Sequence, residues 1–370
     1  MRARCLLATV SVALATIIVP SVAKAEPMDP ALERLVLNPG CHQRPGTAGG
    51  EVGDFGSWNP IGGPGNRGKC RPDNVAFTRL VNQYGAALAP TTMHTARTTG
   101  YAGVELALEA SFTNLDDGGY MRDGTRGKID PNTHLRAPRN DSPDAVAQTY
   151  YLKIRKGFPW GFELQGVAGT MAHTSFFIVG ADIRLALLEG FRKGFAGYLP
   201  DVAGGGAVRT VTGSPQLQLT TVAAFGHLSK PITIASSSVI TPFVGYQYLW
   251  IFGDSGLIDT TPNTDPLGYC GYTGPNSPGT PGADPNNYSG RPVCKNGPGS
   301  DSDFNNTVAF DPVRLSRQRV MGGINYRWEM ISVAVQYMTD VVKPSSMNKN
   351  SSLEDVPLQY TISGHLGVIF

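Results

Sequence analysis

The sequence predicts an all-β fold, a transmembrane antiparallel up-and-down β-barrel of about ten strands, with 8 or 12 as the alternative counts. Three observations predict it. Segments of about ten residues alternate apolar with polar or charged side chains, the period of a half-buried strand. No 18-residue apolar segment follows residue 25, so a membrane location would have to use strands. Three long connections fall at odd-numbered positions and most even-numbered ones are short, the longest being 189–204, which sorts most of the loop length to one end of an up-and-down barrel.

The chain opens with Arg2 and Arg4, an uncharged run from Leu6 to Val19, Pro20 and the small-residue sequence Ala23-Lys24-Ala25. That is the layout of a secretory signal peptide, residues 1–25, cleaved after Ala25; as a spanning helix the run is short. Cys5 precedes the apolar run, so it is no lipid-bearing cysteine. Removal of residues 1–25 takes Arg2, Arg4 and Lys24 and no acidic residue, so 31 basic and 29 acidic residues become 28 and 29. A near-neutral chain has no field to hold nucleic acid by charge alone.

Residues 26–98 read as a periplasmic N-terminal segment. Gly and Pro crowd 38–72, and a short helix near 73–88 is capped by Asp73 or Asn74, with Val75, Leu80, Val81, Tyr84 and Leu88 near one side. The segment either packs on the barrel rim or enters the lumen as a plug, with docking of a periplasmic partner as the alternative role.

Ten strands follow over 99–370, at about 99–113, 147–157, 161–172, 176–188, 205–213, 216–229, 238–253, 313–327, 330–341 and 357–370. In the first, Ala102, Val104, Leu106, Leu108, Ala110 and Phe112 share one face and Glu105 and Glu109 the other. Tyr150, Leu152 and Ile154 oppose Lys153 and Arg155, and Val179, Ile183 and Leu185 oppose Asp182 and Arg184, where a helix beginning near Asp182 is a rival. Val244, Tyr246, Tyr248 and Trp250 oppose Thr241 and Gln247, and Val320, Ile324, Tyr326 and Trp328 oppose Arg319 and Arg327. Aromatic residues near the ends of the apolar faces fit lipid interfaces around a wet interior.

A soluble sandwich shares this period with its sense reversed, and loop lengths separate the two. Connections 114–146, 254–312 and 342–356, the first, seventh and ninth, are long. Most even-numbered ones are short, among them 157–161 and the turn at Trp328-Glu329. Long external loops over short periplasmic turns are the signature of a membrane barrel.

The chain ends YTISGHLGVIF. The alternating Tyr360, Ile362, Leu366, Val368 and terminal Phe370 resemble the C-terminal strand signal of Gram-negative outer-membrane β-barrels. That resemblance covers the signal peptide and the strand region from about 99, and leaves residues 26–98 outside it. It implies residence in the outer membrane after export, lipid against the outer wall, and the barrel-insertion machinery as the partner that reads the last strand.

Four cysteines remain after cleavage: Cys41, Cys70, Cys270 and Cys294. In an exported chain an even number favours disulfides, and the spacings lack the close pairs of a zinc site. With Cys41 and Cys70 on the periplasmic side and Cys270 and Cys294 in the long external loop, local pairing is expected. Each bridge would contribute on the order of 3 kcal/mol.

The expected lumen residues are Glu105, Glu109, Lys153, Arg155, Glu163, Asp182, Arg184, Arg209, Arg319 and Arg327. They would form charge networks filling the interior or, through the excess of arginine, a path for a small anionic solute. Ten strands are too few for a general diffusion porin. The leading expectation is a narrow channel or small-solute transport protein, with Arg184, Arg209, Arg319 and Arg327 lining the path. The alternatives are a structural or adhesive surface barrel with a filled lumen and working external loops, and a hydrolase at the rim. For the last, GDSG at 253–256 resembles a serine-protease motif by four letters, and His173 lies near Ser175 at an external turn. DSDFNN at 301–306 has calcium-loop spacing without the expected glycine and glutamate. No catalytic residue, metal site or cofactor is predicted.

Overall fold

The computed structural model describes residues 26–35, 72–116, 118–129, 139–190, 198–259, 270–273, 291–294, 307–346 and 357–370. The signal peptide, Cys41, Cys70 and the DSDFNN stretch lie outside the described residues.

Ten long strands close a barrel: β1 (Val104–Asn114), β2 (Val146–Gly157), β3 (Phe162–Met171), β4 (Phe177–Leu188), β5 (Asp201–Thr212), β6 (Leu217–Ser229), β7 (Ser238–Ser255), β8 (Val313–Trp328), β9 (Ile331–Asp340) and β10 (Tyr360–Ile369). Each pairs antiparallel with its sequence neighbours, and β10 returns to β1 from Glu105↔Ile369 to Thr113↔Thr361. No edge is left unpaired, which is the condition for strands to cross lipid.

The sense of the alternation is inverted relative to a soluble protein. Leu108, Ile154, Ile183, Val244, Ile324 and Leu366 are exposed on the outer wall, while Glu109, Arg184, Arg209 and Arg319 are buried within. An apolar outside around a charged inside is the arrangement of a transmembrane barrel, the fold class of Gram-negative outer-membrane proteins. Asp182 lies within β4, so the rival helix does not form there.

Three strand starts differ from expectation by three residues or more. β1 begins at Val104 because Gly100, with φ +86°, turns the chain and accepts from the Gly103 amide at 3.1 Å. β5 begins at Asp201, four residues before the expected 205, with Gly204–Gly206 in the ladder against Gly226, Phe225 and Ala224. β10 begins at Tyr360, three residues after the expected 357. The connection between β6 and β7 carries a short strand, Ile232–Ala235, that pairs back on β7.

The N-terminal segment enters the barrel. Helix α1 (Asn74–Ala87) forms as expected, with the Asp73 carboxylate accepting from the Ala76 amide at 2.9 Å. It sits inside the barrel, where Phe77, Leu80, Val81, Tyr84 and Leu88 are fully buried. Residues 26–35 bond to the rim that carries the odd-numbered connections: the Met28 amide donates to the His173 carbonyl at 2.8 Å and the Leu32 amide to Gln216 Oε1 at 2.9 Å. The described part of this segment therefore reaches the rim opposite the one where β1 begins. The physical reason is the core: α1 has an apolar face that only the lumen of the loop-side half can bury.

Candidate functional site in the plugged lumen

Three layers fill the barrel. The uppermost, near the odd-numbered connections, is apolar. Phe77, Leu80, Val81, Tyr84 and Leu88 of the plug pack among Tyr151, Val167, Ile178, Leu219, Leu249, Ile251 and Leu315 of the wall. The fit is close. A Cβ on Gly85 would lie 2.4 Å from Ile251 Cγ2, and one on Gly253 would lie 2.4 Å from Val81 Cγ1. Helix and strand each give up a side chain where the other projects. Helix α2 (Gly119–Gly124) of the first connection ties onto α1: Gln83 Nε2 donates to the Tyr120 hydroxyl at 3.0 Å, and that hydroxyl donates to Asp116 Oδ2 at 3.0 Å. Burial, with Asp116 beside it, pushes the Tyr120 hydroxyl above its ordinary pKa.

Toward the inner end of α1 the helix carbonyls meet cations, as the helix dipole favours. Arg319 Nη1 reaches the Ala86 carbonyl at 3.5 Å and Arg317 Nη1 the Asn82 carbonyl at 3.4 Å. Both guanidinium groups face Asp340, with Arg317 Nη2 2.7 Å from Oδ2 and Arg319 Nε 3.4 Å from Oδ1.

The middle layer is polar. Lys153 Nζ lies 2.5 Å from Glu109 Oε2 and 2.8 Å from Thr91 Oγ1 of the plug, whose own hydroxyl donates to Glu109. Arg209 holds Asp182 with both terminal nitrogens, and Gln165 donates to the same carboxylate. Gln247 Nε2 donates to the Pro90 carbonyl at 2.7 Å.

The lowest layer is a charge chain around the exiting plug. Arg184 Nη2 contacts Glu163 Oε1 at 2.5 Å; Arg155 bridges Glu163 and Glu105; His365 Nε2 is 3.0 Å from Glu105 Oε1. Arg184 also donates to His94 Nδ1 at 2.6 Å and to the carbonyls of Thr95 and Arg97.

Of the ten residues predicted for the lumen, nine are buried inside: Glu105, Glu109, Lys153, Arg155, Glu163, Asp182, Arg184, Arg209 and Arg319. Arg327 is on the same face but exposed at the mouth, where its Nε donates to the Glu329 carbonyl at 3.1 Å. Arg317 and Asp340 belong to the network and were missed; Arg317 shares the parity of Arg319 in the same strand. His365 is a further buried polar residue of the lumen.

Among the described residues of the rim, His173 and Ser175 do not form a nucleophile–base pair. His173 Nδ1 pairs with Asp144 Oδ2 at 2.6 Å, but the Ser175 hydroxyl donates to Asp29 Oδ1 at 2.9 Å. In GDSG each residue has a structural task. Gly253 receives Val81, Asp254 pairs with Arg314 at 3.1 Å, Ser255 Oγ accepts from the Phe310 amide at 2.9 Å, and the Gly256 amide donates to the Gln216 carbonyl at 3.3 Å.

The long seventh connection contains two short paired segments, Cys270–Thr273 and Arg291–Cys294, in a register that sets Cys270 opposite Cys294. On the last strand Tyr360, Ile362, Leu366 and Phe370 are exposed on the outer wall and Val368 is half-buried.

No family model matches the chain, and no curated protein matches it. Among solved structures it is similar to the attachment invasion locus protein Ail of Yersinia pestis, bound to the heparin analogue sucrose octasulfate, at 9% identity over 73% of this chain and 100% of that one, with a TM-score of 0.23. The KdgM porin in complex with disordered oligogalacturonate is similar at 6% identity over 72% and 99%, TM-score 0.25. OprG of Pseudomonas aeruginosa is similar at 11% identity over 74% and 99%, TM-score 0.21. Scores this low carry nothing about activity, and the barrel stands on the pairing of this chain's own strands.

Proposed function

We propose that this protein is a closed outer-membrane scaffold of a Gram-negative bacterium, in which a plug fills the barrel and the segments at the loop-bearing rim do the work. The observation that carries this reading is the apolar layer. Leu80, Val81 and Tyr84 occupy the lumen at full burial against Leu249, Ile251 and Leu315, so an ion or a hydrated solute would have to displace packed side chains. Of the four arginines expected to attract an anion, three are already engaged, Arg184 by Glu163, Arg209 by Asp182 and Arg319 by Asp340 and Thr361, while Arg327 is exposed at the mouth. Lipid is the partner of the outer wall, and the alternating β10 with terminal Phe370 is the surface that the insertion machinery would read. Export by residues 1–25 and a Cys270–Cys294 disulfide complete the proposal. The facing register of those two cysteines favours the bridge.

A second reading, a gated path for a small solute, draws support from the polar lower two layers, where hydrogen bonds join the plug to the wall and apolar contact is confined to a small cluster of Ala96 with Ala186 and Ala203. Swelling of liposomes holding the refolded mature protein separates the two. The scaffold predicts no uptake of small sugars or amino acids above lipid alone. Uptake that tracks the amount of folded protein would favour the gated path.

A further inference from the structure

The path of the chain ahead of the barrel has a direction. Val104 and Ile369, the outer ends of β1 and β10, share a rim with the two-residue turn between β8 and β9, whereas the long connections 115–145, 256–312 and 341–359 leave from the opposite rim. Long loops face outward and short turns face the periplasm. Every described contact of residues 26–35 with a strand connection is made at the long-loop rim. The Ser175 amide donates to Asp29 Oδ1 at 2.6 Å, the Gly127 amide to the Pro27 carbonyl at 2.8 Å, and Gln216 Nε2 to Glu33 Oε2 at 2.7 Å. The chain returns to that same rim after residue 71: the Asp73 amide donates to the Leu35 carbonyl at 2.8 Å, and Asn74 Nδ2 to Asp311 Oδ2 at 2.6 Å.

From there α1 descends and the following residues reach the other mouth. The Ala96 amide donates to Ser229 Oγ at 2.9 Å, Arg97 Nε contacts Asp201 Oδ2 at 2.6 Å, the Thr98 amide donates to Glu189 Oε2 at 2.8 Å, and the Thr99 amide to Glu163 Oε2 at 2.9 Å. Ser229, Asp201, Glu189 and Glu163 all lie at the ends of strands on the short-turn side.

We infer that the N-terminal segment runs through the barrel from outside to inside, so that residues 26–35 and 72–74 stand at the cell-surface rim and residues 96–99 at the periplasmic mouth. This rests on the scaffold reading, and it adds the N-terminal segment to the displayed surface. The seam between β1 and β10 joins the first strand to the last. A segment lying across the lumen before that seam zips is enclosed by it without being threaded through a finished barrel.

The test places one epitope in the full-length exported protein at three alternative sites, after Gly50, after Gly282 or after Gly194, and reads antibody binding to intact and permeabilised Gram-negative cells. Each variant is first checked for a folded barrel by its heat-modifiable gel mobility. Binding to intact cells for the Gly50 and Gly282 insertions, with Gly194 reached only after permeabilisation, is the expected result. A Gly50 epitope reached only after permeabilisation, or in neither condition, overturns the inference while a surface signal at Gly282 leaves the scaffold reading standing. A Gly282 epitope hidden on intact cells overturns the orientation on which both depend.

Discussion

The interlock between α1 and β7 makes a prediction whose size follows from the structure. A Cβ at Gly253 would sit 2.4 and 2.8 Å from the two methyl carbons of Val81 and 3.2 Å from its Cβ. Non-bonded carbons rest at about 3.5–4.0 Å, so one of the two elements must move by about an ångström. Overpacking of this kind costs about 1–3 kcal/mol, which lowers the docked fraction of the plug relative to the undocked by roughly 5- to 150-fold. Gly253→Ala is the perturbation. Val81→Ala alone removes two buried methyl groups and costs about 1.5 kcal/mol. In the double variant the smaller residue at 81 makes room for the new methyl, so the two changes together should cost about 1–2 kcal/mol less than their sum. The assay is urea unfolding of the refolded barrel at fixed lipid composition, with digestion of the plug by a protease as the second readout. Gly166→Ala is the control, since nothing lies within 4 Å of its Cβ position, and it should stay within about 0.5 kcal/mol of wild type. Additive costs for Gly253→Ala and Val81→Ala would refute the interlock.

Three further outcomes are expected. Glu163→Gln leaves Arg184 and Arg155 without their shared carboxylate in a buried layer and should destabilise the barrel by about 3–5 kcal/mol in the same unfolding assay, with the lower plug the first part to become protease-sensitive. Deletion of Phe370 should lower the amount of barrel inserted in cells while leaving refolding of the purified chain into detergent unchanged, as judged by gel mobility. Mass spectrometry of peptides from the non-reduced mature protein should recover Cys270 linked to Cys294, and a peptide joining either to Cys41 or Cys70 would contradict that pairing.

The barrel was legible because its strands alternate with period two, and charges such as Glu105, Glu109, Lys153 and Arg155 mark the inner face without a register slip. Arg317 was within reach of the same rule, standing two residues before Arg319. Asp340 was harder to read, because the interior face of β9 is otherwise Ser332, Ala334, Gln336 and Met338, with no charge to flag it. The plug left a different trace. In YLWIF, residues 248–252, both faces of β7 turn apolar, and FFIV at 176–179 does the same in β4. An apolar residue on the inner face of a membrane barrel needs an apolar partner in the lumen, and Leu249, Ile251 and Ile178 find it in α1. The sequence left the destination of α1 open between rim and lumen, since an amphipathic face states that something must cover it and not what does.

Single-channel recording in a planar lipid bilayer under an asymmetric salt gradient tests the sealed lumen most directly. Folded, inserted wild-type protein should show no discrete steps, and a variant lacking residues 26–98 should open a conductance through the emptied barrel. Discrete, anion-favouring steps from the wild-type protein, altered by Arg184→Ala or Arg209→Ala, would contradict a barrel closed by its own N-terminal segment.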